Sequence, residues 1–265
     1  MTTTLARQTV PAPAPRRTLP AVSARRVWSI ARRVLHELER DPRARVVMVG
    51  TPGLLVVIVR RLFDSDTAFS PTGAIMVGIF PVFTMYLVGS TSLVRERSRG
   101  TLEAVLATPT SRLDLVGGYL TAAFLIAIGQ SVVTATLAYT VSGLQTESPP
   151  WVFGALAGVS GLFGMSLGLL ISAVVRNEGQ AFQALPGFFI PQMLVTGIVW
   201  PVSEMAGWVQ WLERVLPLST VSRSLTAARL HHFGGSSLAV NLAVLLCLIV
   251  AALLGAAASI RRRTA

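Results

Sequence analysis

Residues 238–260 read LAVNLAVLLCLIVAALLGAAASI, twenty-three positions without a formal charge, and they stop at Arg261-Arg262-Arg263. An uninterrupted apolar run of about 20 residues is the length of helix that crosses the ~30 Å hydrocarbon core of a bilayer. In lipid every backbone N–H and C=O must be satisfied within the protein, which leaves helices or closed barrels. This run is far too apolar throughout for a barrel strand, which alternates. Working outward from it, comparable runs lie at 72–94, 115–143, 151–175 and 181–201, with a shorter one at 44–63. The sequence therefore predicts an all-α, polytopic membrane protein with six transmembrane helices in a single domain over 22–265. Pro186 and Pro191 interrupt the fifth span, and Pro52-Gly53 is expected to kink the first, whose core of Val46 to Val59 is flanked by Arg45 and Arg60-Arg61.

Charge supports this reading. Only 13% of the 265 residues are charged, against about 25% in a soluble domain. The net charge of +11 would suggest nucleic acid in a soluble chain, but here topology explains it. Six spans place both termini on one side. That side carries 18 of the 23 arginines, and the opposite side carries Arg60, Arg61, Arg214, Arg223 and Arg229. The positive-inside rule then predicts cytoplasmic termini in a bacterial inner (plasma) membrane and no nucleic-acid partner.

Every basic residue is arginine. A phosphate-binding P-loop requires a lysine after its glycine turn, so the chain is not its own ATPase of that type. Cys247 is the single cysteine, and His36, His231 and His232 show no metal-ligand spacing. No catalytic residue, metal site or cofactor of its own is expected. No Asp or Glu lies near the centre of any span, which counts against a proton- or sodium-coupled transporter.

Residues 1–21, rich in Pro and Ala, lack a continuous apolar core for a signal peptide and read as a disordered cytoplasmic tail. Over 22–41, Val27, Ile30, Ala31, Val34 and Leu38 follow helical spacing, with Arg25, Arg26, Arg32, Arg33 and Arg40 on the other face. With Trp28, this predicts an N-terminal interfacial amphipathic helix; the alternative is an ordinary solvated face. The segment 202–236 falls between the fifth and sixth spans. Met205, Trp208, Val209, Leu212, Val215 and Leu216 repeat helically up to Pro217, and a second piece follows to Leu230. Two such pieces predict an extracellular re-entrant helical hairpin.

Between the second and third spans lies RERSRGTLEAVLATP, residues 95–109. Thr101 suits an N-cap, Glu103 falls in the first turn that follows, and Pro109 stops the helix. The bland reading is a solvated charge run. However, the ERxxGTLExxLxTP pattern at Glu96, Arg97, Gly100, Thr101, Leu102, Glu103, Leu106, Thr108 and Pro109 resembles that of type-2 ABC exporter permeases, the group of the daunorubicin-resistance permeases. Leu216-Pro217-Leu218-Ser219, with Arg229 downstream, is similar to a stretch found before that family's last span. The short first span is a departure.

The resemblance implies two permease copies, or this chain with a similar permease, seated on a dimer of cytoplasmic ABC ATPase subunits that hold ATP and Mg. It implies that the segment 95–112 and the N-terminal helix meet the ATPase. The coupling residues would be Glu96, Arg97, Gly100, Thr101, Leu102, Glu103 and Leu106. The cargo would be a hydrophobic or amphipathic compound such as a drug, lipid or glycolipid. Phe188, Phe189, Gln192 and Met193 on the broken fifth span are candidates to line its path, the alternative being lipid contact or packing. Gly154, Gly158, Gly161, Gly164 and Gly168 predict close helix packing. A non-transporting scaffold or an ion-coupled transporter remains an alternative function.

Overall fold

A computed structural model describes residues 22–98, 111–198, 200–230 and 236–259. Among these residues there are helices and turns and no strand: α1 (Ala24–Arg40), α2 (Pro42–Arg60), α3 (Asp66–Ser98), α4 (Arg112–Thr140), α5 (Pro150–Val174), α6 (Glu178–Val195), α7 (Gly207–Val215), α8 (Pro217–Leu230) and α9 (Ser236–Ser259), with a 3-10 turn at Val202–Glu204 before α7. Helices α3, α4, α5 and α9 are each long and apolar enough to cross a membrane. The helices expected to supply the first and fifth spans do not combine that length and apolarity taken alone; α2 together with α1 would make a further span bent by 79°.

Several helix ends differ from the sequence reading for local reasons. Helix α2 stops at Arg60 because that side chain turns back, donating to the Phe63 carbonyl at 2.7 Å and pairing with Asp66 at 2.5 Å. This closes a short turn instead of running to residue 63. Helix α6 ends at Val195, not 201, because Gly197 takes up a left-handed conformation with φ +83°. Helix α4 ends at Thr140, and Gly143 (φ +63°) turns the chain against the Asp66 carboxylate. A side chain there would collide with that carboxylate.

Helices α3 and α5 form the centre. A Cβ on Gly164 would overlap the Val82 carbonyl, and one on Gly168 the Tyr86 carbonyl. One on Gly89 would lie 2.5 Å from the Met165 carbonyl oxygen. The two backbones touch with no side chain between them, as small residues permit in lipid-buried helices. The core spreads outward from this seam through Phe69, Ile79, Tyr86, Phe153, Phe163 and Phe189, all fully buried.

Helix α8 packs into this core. Its Leu218, Val221, Leu225 and Ala228 are buried, and Leu225 and Val221 press on Gly78 within α3. Its far end is tied to the α4–α5 loop, where the Glu147 N–H donates to the Arg229 carbonyl at 3.1 Å. In α7, Trp208 and Trp211 are exposed while Glu213 is buried, 3.6 Å from Arg223. Burial pushes the Glu213 carboxyl above its ordinary value, and Arg223 and Arg214 oppose that only partly.

Helix α2 contains Pro52, which has no N–H to offer the Met48 carbonyl four residues back. Gln130 of α4 supplies the missing donor. Its Nε2 reaches that carbonyl at 2.8 Å and the Thr84 hydroxyl of α3 at 2.6 Å. One buried amide thus heals the proline break and joins three helices. Gln130→Leu should leave the Met48 carbonyl unsatisfied and lower stability by about 1–3 kcal/mol. Thermal unfolding in detergent reads this directly; an unchanged midpoint would remove Gln130 from the role.

Candidate functional site

A set of charged side chains gathers at the end of the bundle where α1 lies across the ends of α3 and α4. Helix α4 begins with Ser111-Arg112-Leu113-Asp114, a reciprocal capping box. The Ser111 hydroxyl accepts from the Asp114 N–H at 3.0 Å, and the Asp114 carboxylate accepts from the Ser111 N–H at 2.8 Å. The same carboxylate takes two more donors from the start of α1. These are the Ser23 N–H at 2.9 Å and Arg26 Nε at 2.8 Å. Asp114 is fully buried. A carboxylate in that position is held by its donors, and here they come from two separate helix starts.

Seven residues along α1 from Arg26, Arg33 makes the second connection. It pairs with Glu96 near the end of α3, and Tyr119 Oη of α4 donates to the same Glu96 oxygen at 2.9 Å. Glu96 and Tyr119 are both buried. Two turns of α1 therefore carry two arginines, each seated on a buried acid. Between the two pins Ile30 and Val27 lie on Gly117-Gly118, where a Cβ on Gly118 would come within 2.5 Å of the Ile30 Cβ. The missing side chains let α1 rest on the α4 backbone.

The two acids bracket the segment 99–110: Glu96 precedes it and Asp114 follows it. A further ion pair, Arg95 to Glu178 at 3.2 Å, joins the end of α3 to the start of α6. Behind α1 is a cavity of about 700 Å³. Arg33, Glu37 and Arg95 contribute charge to its lining, and Leu87, Ile126 and Phe182 contribute apolar surface.

The expected site residues distribute unevenly. Gly100, Thr101, Leu102, Glu103 and Leu106 lie outside the described residues, as does the Arg97 side chain and the tail over 1–21. Glu96 is described, and it faces inward toward α1 and α4. On α1, Arg25, Trp28 and Arg32 are exposed, but Arg26 and Arg33 turn to the protein, not to the outer face the apolar spacing suggested. The four residues proposed to line a path do not share one surface. Phe189 is buried edge-on against Phe83 and Tyr86, with ring centroids 5.0 and 5.1 Å away. Gln192 is buried, and its Oε1 accepts from the Leu218 N–H at 3.1 Å, capping α8. Met193 is half-buried against the core. Phe188 alone of the four is exposed.

Sequence reading missed Asp114 as a site residue. Its signal was present in the Ser-x-x-Asp spacing at 111–114, which reads as a helix start; the added grip on Ser23 and Arg26 had no local signature.

Comparison with known proteins adds the following. Residues 25–230 match the family described as ABC-2 type transporter. The probable multidrug ABC transporter permease YbhR of Escherichia coli (strain K12) is 27% identical over 143 residues, 54% of this chain and 39% of YbhR. Nodulation protein J of Rhizobium meliloti (strain 1021) is 28% identical over 231 residues, 84% of each chain. The linearmycin resistance permease protein LnrN of Bacillus subtilis (strain 168) is 26% identical over 162 residues, 61% of this chain and 41% of LnrN. This chain thus spans less than half the length of YbhR and of LnrN.

Proposed function

This chain belongs to the ABC-2 type transporter family, and on that premise we propose that it is the membrane permease of an ATP-driven exporter whose ATPase is a separate cytoplasmic subunit. The observation that carries the proposal is the pair of buried acids on either side of residues 99–110, each gripped by an arginine of α1. In this reading the segment carrying Glu103 docks on the ATPase. ATP-driven closure of the ATPase dimer displaces it, and Glu96 and Asp114 pass the displacement to α3, α4 and α1 together. Such coupling needs an element whose two positions the partner favours differently. ATP and Mg would sit on the ATPase chain, and a second permease copy or a similar permease would complete the membrane part.

We further propose six spans with both termini cytoplasmic, α2 and α6 supplying the two short ones and α7–α8 the hairpin between the last two. The cargo class is a hydrophobic or amphipathic compound such as a drug, lipid or glycolipid. The cavity behind α1, lined by both charged and apolar side chains, supports an amphiphile. So do the words multidrug and resistance in the names of YbhR and LnrN.

The test is affinity purification in detergent with mass spectrometry of co-purifying chains. A stoichiometric ABC ATPase is expected with the wild type. Glu103→Arg should insert normally yet lose the ATPase, or retain it with hydrolysis no longer tied to transport. An intact, monodisperse protein that repeatedly brings no ATPase would overturn the exporter reading in favour of a scaffold. Full transport by Glu103→Arg would remove Glu103 from the coupling set.

A further inference from the structure

The glycines of α5 form one periodic series in the sequence but two classes in the structure. Gly164 and Gly168 are required by the backbone of α3. Gly154 and Gly158 are not. A Cβ on Gly154 would meet only the Ala135 Cβ at 3.9 Å, and one on Gly158 only Ser131 at 3.7 Å. Those are ordinary contact distances, so helix packing does not demand glycine at either position. What the two glycines leave open is a groove between α4 and α5, of about 660 Å³.

We propose that this groove holds one acyl chain of a bilayer lipid. Its shape and chemistry both select that occupant. On one side stand Phe124, Ile128 and Val132, one turn apart along α4 and exposed. Gly154, Gly158, Ser131 and Ala135 form its floor. Along its length from Phe124 to Thr140 it runs ~24 Å at the rise of an α-helix. That length and a lining apolar over most of it suit an extended hydrocarbon chain.

Polar atoms in the lining are concentrated toward one end. At the end away from α1, Thr140 and Tyr139 face Trp151, the Tyr139 hydroxyl lies 2.7 Å from the Thr146 hydroxyl, and the Trp151 ring is exposed. Tryptophan and tyrosine favour the level of lipid headgroups. Trp200, Trp208 and Trp211 are exposed as well, on the segment leading into α8, whose last turn is tied to the loop just before Trp151. The lipid would therefore enter with its head at Trp151 and its chain directed toward Phe124. The proposal requires that α4 and α5 cross a bilayer and does not depend on what the protein exports.

The full chain is reconstituted in phosphatidylethanolamine–phosphatidylglycerol vesicles containing a phosphatidylglycerol with a photoactivatable diazirine along one acyl chain. Labelled residues are then mapped by mass spectrometry. Floor residues Ser131, Ala135 and Gly154 should be labelled well above Val244 and Val250, which are lipid-accessible on α9. Gly158→Leu fills the floor and should cut floor labelling roughly tenfold by displacing two or three methylenes of the bound chain. Labelling of α9 should not change, which also reports that the variant is folded and inserted. Wild-type floor labelling no higher than that of α9 would overturn the proposal without any variant. A Ser131→Cys, Cys247→Ala protein that forms a disulfide between two copies would overturn it too, by making the groove an interface between subunits.

Discussion

Asp114→Ala should uncouple α1 from the rest of the protein and cost about 3–5 kcal/mol, the range for removing one partner of a buried ion pair. The reason is the number of groups that depend on one carboxylate. Without it the Ser23 and Ser111 N–H groups and the Arg26 guanidinium lose their acceptor together, in a place where Asp114 is fully buried. Thermal unfolding in detergent should show a markedly lower midpoint. Limited proteolysis should cut near residue 22 faster than in the wild type. Asp114→Asn is the informative companion. It keeps one acceptor oxygen and the shape, so it should fall between the two. If Asp114→Ala unfolds like wild type and its N-terminus is no more open to protease, the anchoring role is wrong.

The second large effect concerns the seam of α3 and α5. Gly164→Val would drive a branched side chain into the Val82 carbonyl, and Gly168→Val would do the same at Tyr86. Ordinary overpacking costs about 1–3 kcal/mol because side chains move aside. Here the obstacle is backbone on both sides, so the helices must separate along their length. Neither variant should accumulate as monodisperse protein. Gly154→Ala, in the same helix and the same sequence pattern, should behave as wild type, since its nearest neighbour would be 3.9 Å away. Size-exclusion profiles of the three variants side by side check this. A well-behaved Gly164→Val would mean that the helices are not in backbone contact there.

The contrast between those glycines shows what the sequence carries and what it does not. Apolar runs read directly as helices, because a span is a local property of about 20 residues. The all-helical fold and α3, α4, α5 and α9 follow from such runs. Whether a glycine is packed depends on the backbone that faces it, here 70 or more residues away, and no spacing within α5 records that distance. The arginines of α1 tell the same story. Arg26 and Arg33 flank the apolar stripe of Val27, Ile30 and Val34, and periodicity alone sends them outward. Their partners, Asp114 and Glu96, are 88 and 63 residues distant. Gln192 looks in sequence like a polar side chain for cargo, but it faces the first turn of α8, 26 residues on.

Helix α3 contains 33 residues, which makes it ~50 Å long against a hydrocarbon core of ~30 Å. It is fused to α5 over Val82 to Ser90, near its middle, by backbone contact that leaves nothing soft to compress. In mechanical terms α3 is a rod clamped over that stretch, with a short arm ending at Glu96 and a longer one, interrupted by Pro71 and Pro81, ending at Asp66. The first arm bears on α1. The second is tethered through Arg60 to α2 and abuts Gly143 at the end of α4. A sideways push on the Glu96 arm therefore meets a short lever held by the clamp, while any motion that passes the clamp reaches Asp66 on a longer lever, with Pro81 as the place where it bends.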